Sequence, residues 1–275
     1  MNKEIIENHF ISNGSEFETN QMNQITITQP SIYEVIRIIN GVPLFLEDHM
    51  ERLHLSAASL DSKIQVIIQS IISDIEKLIK INNYPEKNIK LLVFNFKKEV
   101  PDYIMCFIKS PYPSQNQYLQ GIHSILVHAE RSNPNAKIIN NQLRETINLK
   151  LKENCAYEAL LVNNKGEITE GSRSNLFFVI QGKIYTAPAQ DVLIGITRKY
   201  IIEACRNLNL EIVAQPIPFS MLDHAEGAFI TGTSPKLLPI ASIEERELDS
   251  ANNQIVKNIL TEYNRILERY ILERK

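Results

Sequence analysis

The sequence predicts an α+β fold organised as two domains. Three observations lead there. Stretches with strand periodicity are mixed with stretches of helical periodicity, in a hairpin-rich order rather than a strict strand–helix alternation. The segment 110–117 (SPYPSQNQ) is polar and rich in Pro and Ser, and the pattern restarts after it. The 275 residues are many for one compact core and few for three. The expected division is a smaller N-terminal α/β domain over 1–112 and a larger C-terminal domain over 118–275.

The elements follow in order. Residues 32–39 are dense in β-branched side chains, Asn40-Gly41 follows, and 42–45 are apolar again. Asn-Gly between apolar runs signals a hairpin, because both residues accept positive φ. From Asp48 the spacing becomes helical, with Met50, Leu53, Ala57 and Leu60 on one face. A second helix is predicted over 64–81, where Ile64, Ile67, Ile71, Ile75 and Leu78 draw one apolar stripe. Strands at 89–96 and 103–108 complete the first domain. Beyond the linker, a strand fits 124–128 and a helix fits 142–153. Short strands at 158–162 and 167–169 flank the turn residues Asn163, Asn164, Lys165 and Gly166. A hairpin at 175–180 and 183–186 turns at Gln181-Gly182. Residues 191–194 read as strand-like, 197–207 as a helix, 211–215 and 228–231 as strands, and 251–272 as a C-terminal helix.

Composition excludes several classes of function. Apolar residues at 44% and charged residues at 22% are ordinary globular values and argue against disorder. A net charge of −3 gives no reason to expect nucleic acid or an anionic membrane as partner. Cys106, Cys155 and Cys205 form neither a disulfide framework nor a zinc pattern, so reduced thiols are expected. The opening residues Met1-Asn2-Lys3-Glu4 and those after them lack the apolar core of a signal peptide, and no run is long enough for a membrane span. The expected location is the cytoplasm. His49 and His54 are five apart, not at the i, i+4 spacing of a helical zinc pair, and His123 and His128 fall on opposite faces of a regular strand. The histidines are therefore expected on helix surfaces or strands, and no metal site is expected. No G-x-S-x-G marks a serine nucleophile. The acidic residues between 244 and 249 read as a solvated hairpin.

Three polar segments are candidates for chemistry. Gly195-Ile196-Thr197-Arg198 opens a helix, and a helix N-terminus with a Gly before it favours an anion. Thr231-Gly232-Thr233-Ser234-Pro235 closes a strand with hydroxyls and a Gly, a second place for backbone amides to meet a phosphate or carboxylate. Glu170-Gly171-Ser172-Arg173-Ser174-Asn175 interrupts two strands. Each alone reads equally well as a cap, a turn or a loop.

Their order carries more than any one of them. Tyr33-Glu34-Val35-Ile36-Arg37, then Glu47-Asp48-His49-Met50-Glu51-Arg52-Leu53, then Lys137, then Thr169 to Phe177, then Gly195 to Arg198, then Thr231-Gly232-Thr233, resembles the class IV (fold type IV) aminotransferases. That family holds branched-chain aminotransferases, D-amino-acid aminotransferases and aminodeoxychorismate lyase. The likeness runs from about residue 31 through most of the chain. It implies a two-domain α+β architecture with pyridoxal 5'-phosphate at the domain interface, in a homodimer, the 118–275 domain being the cofactor-binding one.

The resemblance also implies roles. By sequence pattern alone Lys137, Lys150 and Lys152 are equal candidates. The family places its cofactor lysine about twenty residues before a Tyr/Glu strand start, and Lys137 lies twenty before Tyr157. Lys137 is thus the implied catalytic and cofactor-bearing residue. Glu170 matches the carboxylate that faces the ring nitrogen, Arg52 the phosphate arginine, and Leu193 the residue behind the ring. Ile196, Thr197 and Thr233 are implied phosphate donors. Tyr33, Arg131, Arg173 and Ser234 are the candidates for contact with substrate. The implied reaction moves an amino group between an amino acid, of branched-chain or D-amino-acid type, and a 2-keto acid. Gln142 stands where branched-chain enzymes carry a tyrosine, and Asn140 is more like the lyase and D-amino-acid branches. Aminodeoxychorismate lyase, eliminating pyruvate to give 4-aminobenzoate, is the alternative. Amine-specific transaminases are a third option, and an inactive binding protein on the same fold is the reading from another class.

Overall fold

The computed structural model describes residues 4–131 and 133–275. Residues 1–3, on which part of the leader-peptide reading rests, lie outside the described residues. The chain divides into two compact units. One comprises Met1–Pro111, Ala136–Ile139 and Arg269–Lys275, and the other Tyr112–Asn135 and Asn140–Glu268. The main segment of the first unit ends at Pro111, and no signal in the sequence marks the return of Ala136–Ile139, with Lys137, to that unit.

The first unit holds β1 (Ile5–Ser12), β2 (Ser15–Glu18), β3 (Ile32–Ile39), β4 (Val42–Pro43), α1 (Leu46–Ala58), α2 (Gln65–Ile81), β5 (Asn88–Phe94) and β6 (Asp102–Ile108). Its sheet is antiparallel throughout, in the order β2-β1-β6-β5-β3-β4. Both faces of the central strands are covered, so β5 is buried at every position and shows no alternation. Ile89, Leu91 and Val93 join the helix-facing core with Ile67, Ile71, Ile75 and Leu78 of α2. Leu92 and Phe94 join Phe10, Met22 and Ile104 on the other face. Each fully buried isoleucine of the α2 stripe contributes about 1.5–3 kcal/mol. Asp74 is the polar exception on that helix, and it accepts the Tyr103 hydroxyl at 2.7 Å.

The start of α1 is capped from far away in sequence. Phe45 precedes it with φ of 54° and supplies no side-chain cap. That left-handed turn also ends the strand expected over 42–45 after Pro43. The Leu46 N–H donates instead to the Tyr270 hydroxyl at 3.0 Å, and that hydroxyl donates to Glu47 at 2.7 Å. Arg274 stacks on the Tyr270 ring, 3.6 Å from its centroid, and pairs with Glu47 at 3.0 Å.

The second unit continues with α3 (Gln115–Gln120), β7 (Ile122–His128), α4 (Asn141–Glu153), β8 (Glu158–Val162), β9 (Glu167–Gly171), β10 (Asn175–Ile180), β11 (Lys183–Thr186), α5 (Ile196–Asn207), β12 (Ile212–Ala214), β13 (Ile217–Pro218), β14 (Gly227–Gly232), β15 (Lys236–Ile243), β16 (Arg246–Glu247) and α6 (Gln254–Leu272). The sheet runs β12-β11-β10-β14-β15-β7-β8-β9-β13, with β16 on β15. The two neighbours of β7 are parallel to it, and most other pairs are antiparallel. Ile147 of α4 packs on Ile125, Val127, Ala159 and Leu161.

Several expectations need correction. The hairpin β1–β2 was missed, although its turn is Asn13-Gly14, with φ of 47° and 80°. The predicted linker contains the start of α3, whose first turn is closed by a capping box between Ser114 and Gln117. Residues 191–194 are not a strand; a short 3-10 turn covers Ala189–Asp191 and an irregular stretch leads to α5. β15 was also missed, because Pro239 interrupts its run. Pro239 lies where β15 leaves β14 and takes up β7, so its missing N–H breaks no uniform ladder.

The Tyr270 cap gives a test. Tyr270→Phe keeps the ring against Phe45 and removes only the hydroxyl. It is expected to lower stability by about 1 kcal/mol, read as a lower urea midpoint at unchanged slope.

Candidate active site

In the first unit the site grows from the alternation of β3. Ile32, Glu34, Ile36 and Ile38 all point to one side, and all are buried. Glu34 therefore puts a carboxylate into a stripe of isoleucines. His49 and Arg52 are three apart on α1, so they share a face. Arg52 engages Glu34 in a bidentate fork, Nε to Oε1 at 2.8 Å and Nη2 to Oε2 at 2.5 Å. His49 Nδ1 lies 2.7 Å from Oε2. Burial alone would push the Glu34 carboxyl up, but the charge and hydrogen bonds of Arg52, helped by His49, hold it well below the usual carboxylate range. Burial pushes the His49 imidazole down, opposed by Glu34 and reinforced by Arg52 and Lys137. His49 is 3% exposed, which corrects the surface placement expected for it.

Lys137 is held by its backbone beside this cluster. Its carbonyl accepts the Tyr33 N–H at 3.1 Å, and Ile139 N–H donates to the Ser31 carbonyl at 3.1 Å. The Lys137 N–H donates to Ser56 Oγ of α1 at 3.2 Å. Its ammonium sits over the Tyr33 ring, 5.1 Å from the centroid. Strand β3 and helix α1 thus fix both Lys137 and Arg52.

In the second unit the three polar segments converge on Asn175. Asn175 pairs with Thr231 across β10 and β14. Its Nδ2 donates to the Leu193 carbonyl at 2.8 Å and reaches Glu170 Oε2 at 3.4 Å. Its Oδ1 lies so close to Gly195 that a Cβ there would come within 2.1 Å of it. Gly195 is needed for space, since its φ of −68° is open to any residue. Gly232 stands near the Arg173 carbonyl, 3.6 Å from where a Cβ would sit, so the turn with Thr233 and Ser234 lies against the loop after Glu170.

Glu170 is 3% exposed and receives the Leu193 N–H at 3.1 Å and Arg131 Nε at 3.0 Å. Arg131 Nη2 also donates to the Ser172 carbonyl at 3.0 Å. Arg173 is exposed and bonds Asn148. Ile196 and Thr197 form the buried first turn of α5, where a helix leaves its N–H groups without intrahelical partners. Thr197 hydrogen-bonds Tyr263. Sequence reasoning did not single out Glu34 or Asn175. An acid at an inward position of an alternating strand, facing an arginine and a histidine at helical spacing, was the available signal for Glu34.

These residues fit an anionic, ring-bearing cofactor. The Thr231 Oγ1 atom is buried without a hydrogen-bond partner beside the Gly232-Thr233 turn. Glu170 receives a guanidinium and two N–H donors, so its side chain acts as an acceptor in this setting. Among the described residues no group of His, Cys, Asp and Glu could hold a metal ion, and no helix is long and apolar enough to cross a membrane. The cysteines are unpaired, and burial pushes the Cys106 and Cys205 thiols up to about 12.

The Glu34 cluster gives a pH test. His49 and Glu34 both have lowered folded-state pKa values, so the unfolded chain binds more protons as pH falls. Stability is expected to fall as pH drops through the ordinary histidine value of 6.5, and again below the ordinary carboxylate value of 4.5. His49→Asn should flatten the first step in urea unfolding followed against pH. Arg52→Met, which leaves Glu34 buried without its guanidinium, should cost about 3–5 kcal/mol.

The chain is similar to known proteins over most of its length. D-alanine aminotransferase of Bacillus licheniformis is 29% identical over 245 residues, covering 84% of this chain and 85% of that one. Aminodeoxychorismate lyase of Bacillus subtilis is 24% identical over 260 residues, covering 88% and 87%. The crystal structure of Escherichia coli branched-chain amino acid aminotransferase superposes with a TM-score of 0.84 over 95% of each chain, at 22% identity, which shows a shared fold. The family described as amino-transferase class IV matches residues 31–243, and the chain belongs to that family of pyridoxal-phosphate-dependent enzymes.

Proposed function

We propose that the protein moves an amino group between an amino acid, of branched-chain or D-amino-acid type, and a 2-keto acid, with pyridoxal 5'-phosphate carried on Lys137. The observation that supports this most is the convergence on Asn175 of three segments that are far apart in sequence. Pyridoxal phosphate, when bound, supplies an electron sink that makes a substrate Cα–H acidic. Glu170 would hold the ring nitrogen in its protonated form, and Leu193 would back the ring. Arg52 and Thr233, with the Ile196 and Thr197 amides, would hold the phosphate. Lys137 would carry the cofactor and, once released, move the proton at the substrate Cα. Hydrogen bonds from Tyr33 and to Ser56 hold the backbone from which that side chain would work.

For the substrate carboxylate, Arg131 and Arg173 are no longer equal candidates. Arg131 pairs with Glu170, whereas Arg173 is exposed on the loop, so Arg173 is proposed to meet the carboxylate, with Tyr33 and Ser234 as further substrate contacts. Cytoplasmic location and a homodimer complete the proposal, supported by the family.

The lyase reading rests on Gln142, exposed on α4 where branched-chain enzymes carry a tyrosine. Asn140 does not separate the readings, since its side chain accepts the Leu143 N–H as the helix cap.

The test begins with the colour of the purified protein. Pyridoxal phosphate should give visible absorption, and borohydride should fix a label that maps to Lys137. Lys137→Ala should lose the label and at least about 100-fold of the half-reaction rate. Amino donors tested against pyruvate and 2-oxoglutarate should show turnover. Release of pyruvate from aminodeoxychorismate alone would favour the lyase, and a protein that takes up no cofactor would be the inactive binding protein.

A further inference from the structure

We infer that Glu158 is a positioning residue for Glu170, acting through the loop after Gly171 and through Arg131. This rests on the proposed role of Glu170 at the cofactor ring. Glu158 opens β8 and is buried. Its partners are neutral donors. Oε1 accepts the Ala159 N–H at 2.9 Å, the Ser172 N–H at 3.1 Å and the Ser172 hydroxyl at 2.6 Å. Oε2 accepts the Ser174 hydroxyl at 2.7 Å. A carboxylate accepts at several lone pairs and donates nothing, which suits four donors converging on one point.

The loop is drawn onto this carboxylate as far as sterics permit. A Cβ at Gly171 would lie 2.0 Å from Ser174 Oγ and 3.0 Å from the Glu158 carboxyl carbon. The Ser172 N–H also bonds the Ala159 carbonyl at 2.8 Å, so this peptide is held from two sides. The Ser172 carbonyl, in the next peptide, accepts Arg131 Nη2 at 3.0 Å, so the residue is tied at its N–H, its hydroxyl and its carbonyl. The same guanidinium turns its Nε to Glu170 Oε1 at 3.0 Å. Two buried carboxylates on different strands are thereby joined through one serine and one arginine. Glu158 sets Ser172, Ser172 sets Arg131, and Arg131 orients Glu170. The residue is needed as an acceptor of fixed shape. Glutamine should serve nearly as well, since its oxygen keeps three donors and the Ser174 hydroxyl can turn to accept from its amide.

The experiment uses the full-length protein with Glu158→Gln, Glu158→Leu and Ser172→Ala. Amide exchange at Leu193, whose N–H is held by Glu170, is read without cofactor. Pyridoxal phosphate is then titrated, and the absorption of the bound form is followed against pH. Glu158→Leu should raise Leu193 exchange and weaken pyridoxal phosphate binding by about tenfold each, and should shift the pH profile of the absorption. Glu158→Gln should stay close to wild type. A general loss of stability would leave the absorption profile unmoved. Glu158→Leu with wild-type Leu193 protection and a wild-type profile would overturn the inference. Where Glu158→Leu does not fold, Ser172→Ala decides by the same two readouts, with smaller changes in the same direction expected and none overturning it. Wild-type protein that takes up no pyridoxal phosphate, with Leu193 still released in Glu158→Leu, would sink the cofactor reading and support the relay.

Discussion

The carboxylate of Glu34 has no access to water, and the guanidinium fork of Arg52 is what makes that tolerable. A strand of alternating isoleucines would pack against α1 more cheaply with another isoleucine there, because a buried ion pair seldom repays its desolvation. What the pair gains is definition. Arg52 can take one position only, and α1 is locked in rotation and register against β3. Ser56, one turn further along α1, then meets the Lys137 N–H. The Tyr270 cap closes the start of the same helix.

The second unit handles its buried carboxylates differently. Glu170 receives a guanidinium, and Glu158 only hydroxyls and backbone N–H groups. The difference suits the proposed roles. An acid proposed to face a positive ring nitrogen would act as a carboxylate, and a guanidinium beside it favours that state. A group that only shapes a loop needs acceptor positions, which neutral donors satisfy. In each unit a buried acid organises an arginine, by direct contact with Arg52 in one and through the Ser172 peptide with Arg131 in the other.

Much of the fold was legible in the sequence where local signals are strong. β3, the Asn40-Gly41 turn and the α2 stripe each answer to one periodicity or one turn type, and the observed bounds match or nearly match the expected ones. The same Asn-Gly signal was present at Asn13-Gly14, but His9 and Glu7 on the strand before it weakened the alternation. β15 was hidden by Pro239, whose tolerance depends on which neighbour the strand is leaving, a tertiary fact. The site was legible as separate segments. Their convergence was not, because nothing local to Glu170, Gly195 or Thr231 shows that Asn175 touches all three stretches. The grouping of Lys137 with β3, about a hundred residues earlier in the chain, was beyond reach for the same reason.

The two arginines offered for a substrate carboxylate show how the structure sharpens a reading. From sequence they were interchangeable. Arg131 commits Nε to Glu170 and Nη2 to the Ser172 carbonyl, and moving it to a substrate would release the acid proposed for the cofactor ring. Under the proposed roles, recruiting Arg131 would take a charged partner from Glu170. Arg173 carries no such conflict, since Asn148 on the surface of α4 is its polar partner. On the proposed reading, carboxylate specificity would belong to the loop that Glu158 shapes, and the substrate question becomes one of how Arg173 leaves that loop.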